Sequence, residues 1–509
     1  MNHWIATFVV LPGMVAAFMV LALRHDLDRQ RIVSIVTTML QLAIAVGLFI
    51  QASDGVTQAY FLGSWPAPFG IILVLDRLSA IMILLTSVLA LAVVLYASNG
   101  WDARGRHFHA LFQFQLMGIS GAFLTGDVFN LFVFFEVMLI ASYGLMLHGG
   151  GPRRLRAGFQ YIAINLIGST LFLFAVGLIY AVTGTLNMAD LAVRAGQIAD
   201  GDAALLGAGV FMLLLVFALK AAMVPLHWWL PTTYAAAPAP TAALFAVMTK
   251  VGAYSIIRVH VMVFGPIVAP AAEWIVAAAL ATLAVGALGA LATRRFGDLA
   301  AFAVVWSMGS LLVAIGLFDG KAISAALYYT VHSTVAGAAL FLIADAMSQR
   351  RAGQADALVA ARPLAQAGLM SIVFFVAAIS MAGLPPLSGF IGKLLILDAA
   401  RGSAQVWIWS VILVSTLAVI VAFSRAGSLL FWKSEAVAAG APAAEPVGPP
   451  PALRRTVLPL LALLAVPAAL TLFAGPAADF FDAAAAQIGD VGGYVGGVLG
   501  ADAGAALRR

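Results

Sequence analysis

The chain has 509 residues, 63% of them hydrophobic and only 10% charged, with a net charge of +5. A soluble domain carries about a quarter charged residues, so this composition excludes a globular enzyme and reads as an all-α polytopic membrane protein. There is no cysteine, which excludes disulfides, iron–sulfur clusters, thiolate metal sites and cysteine nucleophiles, and the positive charge is too diffuse for a nucleic-acid patch.

A membrane span needs about 20 apolar residues. That ruler predicts about fourteen spans, near 4–23, 32–51, 76–98, 108–126, 128–148, 158–182, 206–230, 240–263, 272–293, 299–317, 322–347, 366–400, 405–432 and 453–475. The first carries its positive charges after the apolar run, the reverse of a signal peptide, and reads as a retained span. Residues 57–75 (TQAYFLGSWPAPFGIILVL) mix apolar and turn residues and read as a short hairpin between spans. Basic residues gather in alternate connections: Arg24, Arg29 and Arg31; Arg104 and Arg106; Arg153, Arg154 and Arg156; Arg294 and Arg295; Arg350, Arg351 and Arg362; Arg425, Lys433, Arg454 and Arg455. By the positive-inside rule these connections are cytoplasmic and both termini face outward. Residues 433–452, rich in Ala and Pro, read as a disordered cytoplasmic linker. The Ala/Gly-rich tail after Gly475 carries no clear pattern.

Four ionisable residues stand inside apolar spans: Glu136, Lys220, Lys250 and Lys393. A charge at mid-bilayer costs roughly 2.5–3.5 kcal/mol on insertion scales, which points to ion or proton movement. Glu136 lies nine residues after Asp127, about 13 Å into its helix, and a buried carboxylate must pair or take up a proton. Lys220 is its expected partner. Lys250 has Thr249 beside it and Tyr254 one turn on; its competing reading is a side chain reaching for the interface, since Arg258 sits near the end of the same span. His332, with Tyr328 one turn before it and Ser333 adjacent, has the chemistry to link Lys250 to Lys393. Tyr161, Asn165 and Ser169 fall on one face of the sixth span, a row that either orders water or fastens helices. Met and Trp show no cage-like clustering, and no phosphate loop or dinucleotide fingerprint is present, so no cofactor or metal is expected.

Two spans carry breaks. Lys220 is followed by AAMVPLHWWLP, and AGLPPLSGFIGK places Gly383, Pro385, Pro386 and Gly389 ahead of Lys393. Proline removes a helical hydrogen bond, and the freed carbonyls are tolerated in a membrane only where protein or water satisfies them. The breaks fall five spans apart, so they run in opposite directions, as in an inverted repeat. The expected units are 1–107, a first repeat at 108–263, a second at 272–432, the linker, and 453–509.

DVFNLFVFFEVMLIASYGLM, PLHWWLPTTYAAAPAPTAALFAVMTKVGAY and AGLPPLSGFIGKLLIL resemble the antiporter-like subunits shared by respiratory complex I and Mrp-type cation/proton antiporters, most closely the D-type Mrp subunits. The resemblance implies fourteen helices in two inverted five-helix repeats, with helices seven and twelve broken. It implies functional roles for Glu136, Lys220, Lys250 and Lys393, to which the residue reading adds His332. Lys393 departs from the pattern of the M-type complex I subunits, and the short length departs from the larger A-type Mrp subunits. The implied activity is proton translocation in a Na+/H+ antiporter of the cytoplasmic (inner) membrane, with K+ as an alternative cation, other antiporter subunits and membrane lipid as partners, and no nucleic acid. The competing readings are a redox-driven proton-pump component, an assembly scaffold and a stand-alone transporter.

Overall fold

The computed structural model describes residues 2–507 apart from 352, 362–363, 403 and 434–452, so the stretch read as a linker lies almost wholly outside the described residues. Two peripheral helices, α1 (His3–Ala22) and α2 (Leu27–Ala52), lead into an antiparallel hairpin of β1 (Gln58–Phe61) and β2 (Ile72–Leu75), paired Gln58 to Leu75. Then come α3 (Arg77–Ala97), α4 (Phe108–Leu124), α5 (Val128–Leu147), α6 (Pro152–Thr183) and a short α7 (Met188–Arg194). The first broken span is α8 (Asp200–Lys220) followed by α9 (Trp229–Ala236). After it, α10 (Ala239–Phe245) and α11 (Met248–Ser255) run into π-helical turns at Ile256–Val263.

A one-turn α12 (Gly265–Val268) leads to α13 (Ala272–Ala292), α14 (Phe296–Gly316) and α15 (Gly320–Ser348). The second broken span is α16 (Ala367–Ala382) with α17 (Ser388–Ala399), and α18 (Gln405–Gly427) follows. The chain ends in α19 (Leu453–Leu472), α20 (Ala474–Gly489), α21 (Val491–Leu499) and α22 (Ala501–Leu507). Both breaks fall where Pro225 and Pro386 interrupt the helical ladder.

Among the described residues, eleven helices are long and apolar enough to cross a membrane, or twelve if α19 and α20, bent by 87° to each other, form one span. By length and composition the count stops short of fourteen. The reason is local: α4 has 17 residues, and the second broken span divides into pieces of 16 and 12. The span formed by α10, α11 and their π-helical continuation is wholly enclosed by protein, and α14 and α15 nearly so, whereas α1, α2 and α18 bury only a stripe. Leu21, Phe159, Trp274 and Trp407 are exposed on the outer helices, as lipid-facing side chains are.

The arginine-bearing helix ends meet on one face. There Asp102, in the turn between α3 and α4, is fully buried and accepts from Arg31 Nε at 2.5 Å and pairs with His109 Nε2 at 3.0 Å. Arg154 donates to the Ala236 carbonyl at the end of α9, and Asp345 on α15 accepts from Tyr96 and Trp101, both at 2.8 Å. On the opposite face the tail is more structured than its composition suggests. Gln487 bonds to the Arg77 backbone N–H, and the Tyr494 ring lies over Arg258. Small residues carry little hydrophobic period, yet they let α21 and α22 pack closely, as at Gly496 against Gly504.

Burial alone raises the pKa of Asp102, but hydrogen bonds and charge from His109 and Arg31 outweigh it and bring it down to about 2. A carboxyl held low stabilises the fold fully above its unfolded pKa of about 4 and loses that contribution as pH falls through about 2. Asp102→Asn should therefore cost about 2 kcal/mol near neutral pH. In thermal unfolding of the purified protein, the gap to wild type should narrow progressively below about pH 4.

Candidate functional site

Of the five residues singled out from sequence, Lys220, Lys250, His332 and Lys393 are buried and Glu136 is half-buried, and the helix breaks place two of them. Lys220 is the last residue of α8. Its ammonium donates to Asn165 Oδ1 at 2.7 Å, and one turn along α6 Ser169 Oγ donates to Glu136 Oε1. Tyr161, one turn the other way, shares a hydrogen bond of 2.9 Å with Ser142 of α5. The polar row on α6 thus ties α5 to α8 and separates the acid from the amine. Glu136 acts on Lys220 through space, but among the described residues the two form no direct ion pair, contrary to the expectation. The reason is that α6 inserts its own donors and acceptors between them. Glu136 itself is only partly buried, toward the rim of the bundle.

Lys250 is fully enclosed, which rules out a side chain reaching for the interface. Arg258, whose place near the end of the span suggested that reading, is itself buried and makes a two-pronged pair with Asp76, the N-cap of α3, at 2.6 and 2.8 Å. The neighbours expected for Lys250 are engaged elsewhere: Thr249 turns to the Ala246 carbonyl and Tyr254 donates to Phe123 O at 2.6 Å. Lys250 Nζ has no direct hydrogen-bond partner among the described residues. Its helix nonetheless touches the Lys220 turn, for a Cβ on Gly252 would lie 2.7 Å from the Ala221 nitrogen. Only glycine permits that approach.

His332, on the enclosed α15, shares a 2.9 Å hydrogen bond between Nδ1 and Ser388 Oγ, at the start of α17. Tyr328, expected as its neighbour, instead donates to Leu470 O of α19 at 3.1 Å. Both Lys250 and Lys393 act electrostatically on His332. The Ser380 backbone lies against its imidazole, Tyr329 and Ser310 interact through their hydroxyls, and the hydroxyls of Ser333 and Ser380 have no direct partners among the described residues. Lys393 is almost wholly buried and donates to Ala382 O at 2.5 Å, the last residue of α16, and to Thr416 Oγ1 at 3.2 Å. Its Nζ also sits 3.8 Å from the centre of the Trp306 ring. The sequence reading saw no aromatic cage, since Trp306 belongs to a different helix from the lysine and no local spacing links them.

On the arginine-rich face a cavity of about 310 Å³ opens among Arg153, Arg154, Arg295, Asp345, Asp356 and Tyr234. The rings of Tyr234 and Phe341, 5.9 Å apart, both line it. No group of three or more metal-ligating side chains converges among the described residues.

Residues 125–420 match the family described as NADH:quinone oxidoreductase/Mrp antiporter, transmembrane. That stretch holds Glu136, all three buried lysines and both broken spans. The chain belongs to this family. Among curated proteins, it is 40% identical to a probable D-type K+/H+ antiporter subunit of Rhizobium meliloti, over 95% of each chain. It is 35% identical to a D-type Na+/H+ antiporter subunit of Bacillus subtilis, over 86% of this chain and 88% of that one. Among solved structures, it resembles a chain of the Mrp complex from Dietzia sp. at a TM-score of 0.90 and 30% identity, covering 98% of this chain and all of that one. A chain of respiratory complex I from Thermus thermophilus follows at 0.78 and 25% identity, over 95% and 99%.

If Asn165 is the direct partner that holds the Lys220 ammonium, Asn165→Leu should leave a buried cation short of an acceptor. The expected cost is about 1–3 kcal/mol, read as a lower thermal midpoint of the purified protein, with Asn165→Asp losing much less.

Proposed function

We propose that this chain is a D-type, proton-carrying membrane subunit of a multisubunit monovalent-cation/proton antiporter. In this reading Glu136, Lys220, Lys250, His332 and Lys393 are the groups that load and pass protons. The observation that carries it is that the buried lysines are not locked in ion pairs among the described residues. A structural ion pair needs its partners in contact, as Asp76 and Arg258 are. Lys220, Lys250 and Lys393 instead meet an amide, a carbonyl, a hydroxyl or no direct partner at all. Such groups are free to change protonation when a neighbouring charge moves, and water completes the links between them. The names of the relatives support a component of an assembly that exchanges K+ or Na+ for H+.

The arginine-rich face is cytoplasmic by the positive-inside rule; both ends of the chain then face outward from the cytoplasmic membrane, and the cavity at Arg153 and Asp345 is the access from inside. Residues 108–263 and 272–432 act as two inverted units, each with a broken span. One charge crossing 100 mV gains about 2.3 kcal/mol, comparable to a pKa change of under two units. Modest electrostatic coupling along the line is therefore enough to tie proton flow to a cation.

The test is cation-driven proton movement in everted vesicles holding the whole complex. Glu136→Ala, Lys220→Ala and Lys250→Ala should each abolish it with complex abundance unchanged, under both Na+ and K+ gradients. Normal antiport in these variants would defeat the assignment. Loss of NADH oxidation on deletion, with salt tolerance intact, would favour the redox-pump reading.

A further inference from the structure

The same helix contact occurs twice in this fold. Gly118 of α4 lies against the backbone of Met138 and Gly121 against the ring of Phe134; Gly286 of α13 lies against the backbone of Trp306 and Gly289 against the ring of Phe302. Each pair of glycines is three residues apart, and each pair it meets is four apart. The match sets Trp306 opposite Met138, so Val304 takes the place that Glu136 holds in the first half.

The broken spans match as well. Ala222 and Gly383 both turn through positive φ, 55° and 76°, and Pro225 and Pro386 each follow three residues later. By that match Met381 stands where Lys220 stands, and Lys393 has Thr232 as its counterpart. Each half therefore holds its lysine on the opposite side of the break, and the second half lacks the acid.

What the second half has instead is a ring. Trp306 is fully buried, and its Nε1 donates to Ser415 Oγ at 3.0 Å, which fixes the ring plane. Lys393 Nζ lies 3.8 Å from the ring centroid, while its hydrogen bonds run to Ala382 O and Thr416 Oγ1. The face of an indole carries negative potential and attracts an ammonium most strongly away from water. The Ala382 carbonyl adds the negative end of the α16 dipole.

We propose that Trp306 is the positioning residue for Lys393, and that its ring face supplies by contact the negative potential that Glu136 supplies to Lys220 through space in the first half. This rests on the proton-carrying reading of Lys393. The chemical consequence differs between halves. An amine that gives up its proton near a carboxylate, as Lys220 does across α6 from Glu136, leaves an anion without its counter-charge, whereas an amine over a neutral ring leaves none. That suits a group at the end of a relay, which must release what it receives.

The experiment replaces Trp306 site-specifically with mono-, di- and trifluorotryptophan in the full complex and measures antiport in everted vesicles at matched abundance. Trp306→Phe, Trp306→Leu and Lys393→Met accompany it. Fluorine weakens the ring-face potential while nearly preserving shape. The expected result is a stepwise fall in rate with each fluorine, Trp306→Phe intermediate, and Trp306→Leu down about tenfold or more. A flat fluorinated series in a complex that Lys393→Met inactivates overturns the role of Trp306 alone. Full activity in Lys393→Met overturns the reading of Lys393 beneath it.

Discussion

Keeping an ammonium out of water is the constraint around which this bundle is organised. Each buried lysine needs either a compensating charge, a set of oriented dipoles or water, because desolvation of an unpaired cation is expensive. The protein answers differently at each place. Lys220 meets an amide, Lys393 meets a helix-end carbonyl, a hydroxyl and an indole face, and Arg258 meets a full carboxylate. Only the last is a fixed ion pair with both partners buried together in direct contact. The second helix break follows from the same need: ending α16 at Ala382 frees the carbonyl that accepts from Lys393.

Enclosure does the rest. The helices that carry Lys250 and His332 are wrapped by others, so neither group contacts lipid. A tight glycine contact at Gly252 brings Lys250's helix against the Lys220 turn.

Much of this was legible in the chain itself. Apolar runs of span length, the two proline breaks and the stranded charges are local features, and they gave the all-helical membrane class, four buried ionisable residues and the half-buried Glu136. The hairpin at 57–75 also read correctly from its turn residues. What the sequence could not carry was which neighbours each charge meets. Asn165 and Ser169 stood out as a polar row, yet their service to Lys220 and Glu136 depends on how α6 is rotated between α5 and α8. Thr249, Tyr254 and Tyr328 were plausible partners by spacing, yet Thr249 bonds a carbonyl of its own span and the two tyrosines bond carbonyls of other helices. Ser388 and Trp306 are distant in sequence from the groups they touch, so only packing reveals them. The tail after Gly475 misled because small residues pack closely without an apolar period.

The central claim is that the interior groups are joined through water and neutral dipoles rather than locked together. It is tested most directly by a map of the assembled complex fine enough to show ordered solvent. The account predicts water in hydrogen-bond contact with Lys250 Nζ and His332 Nε2, linking them toward Lys220 on one side and Lys393 on the other. A dry, apolar enclosure around Lys250, with Glu136 and Lys220 closed into a direct ion pair, would contradict it.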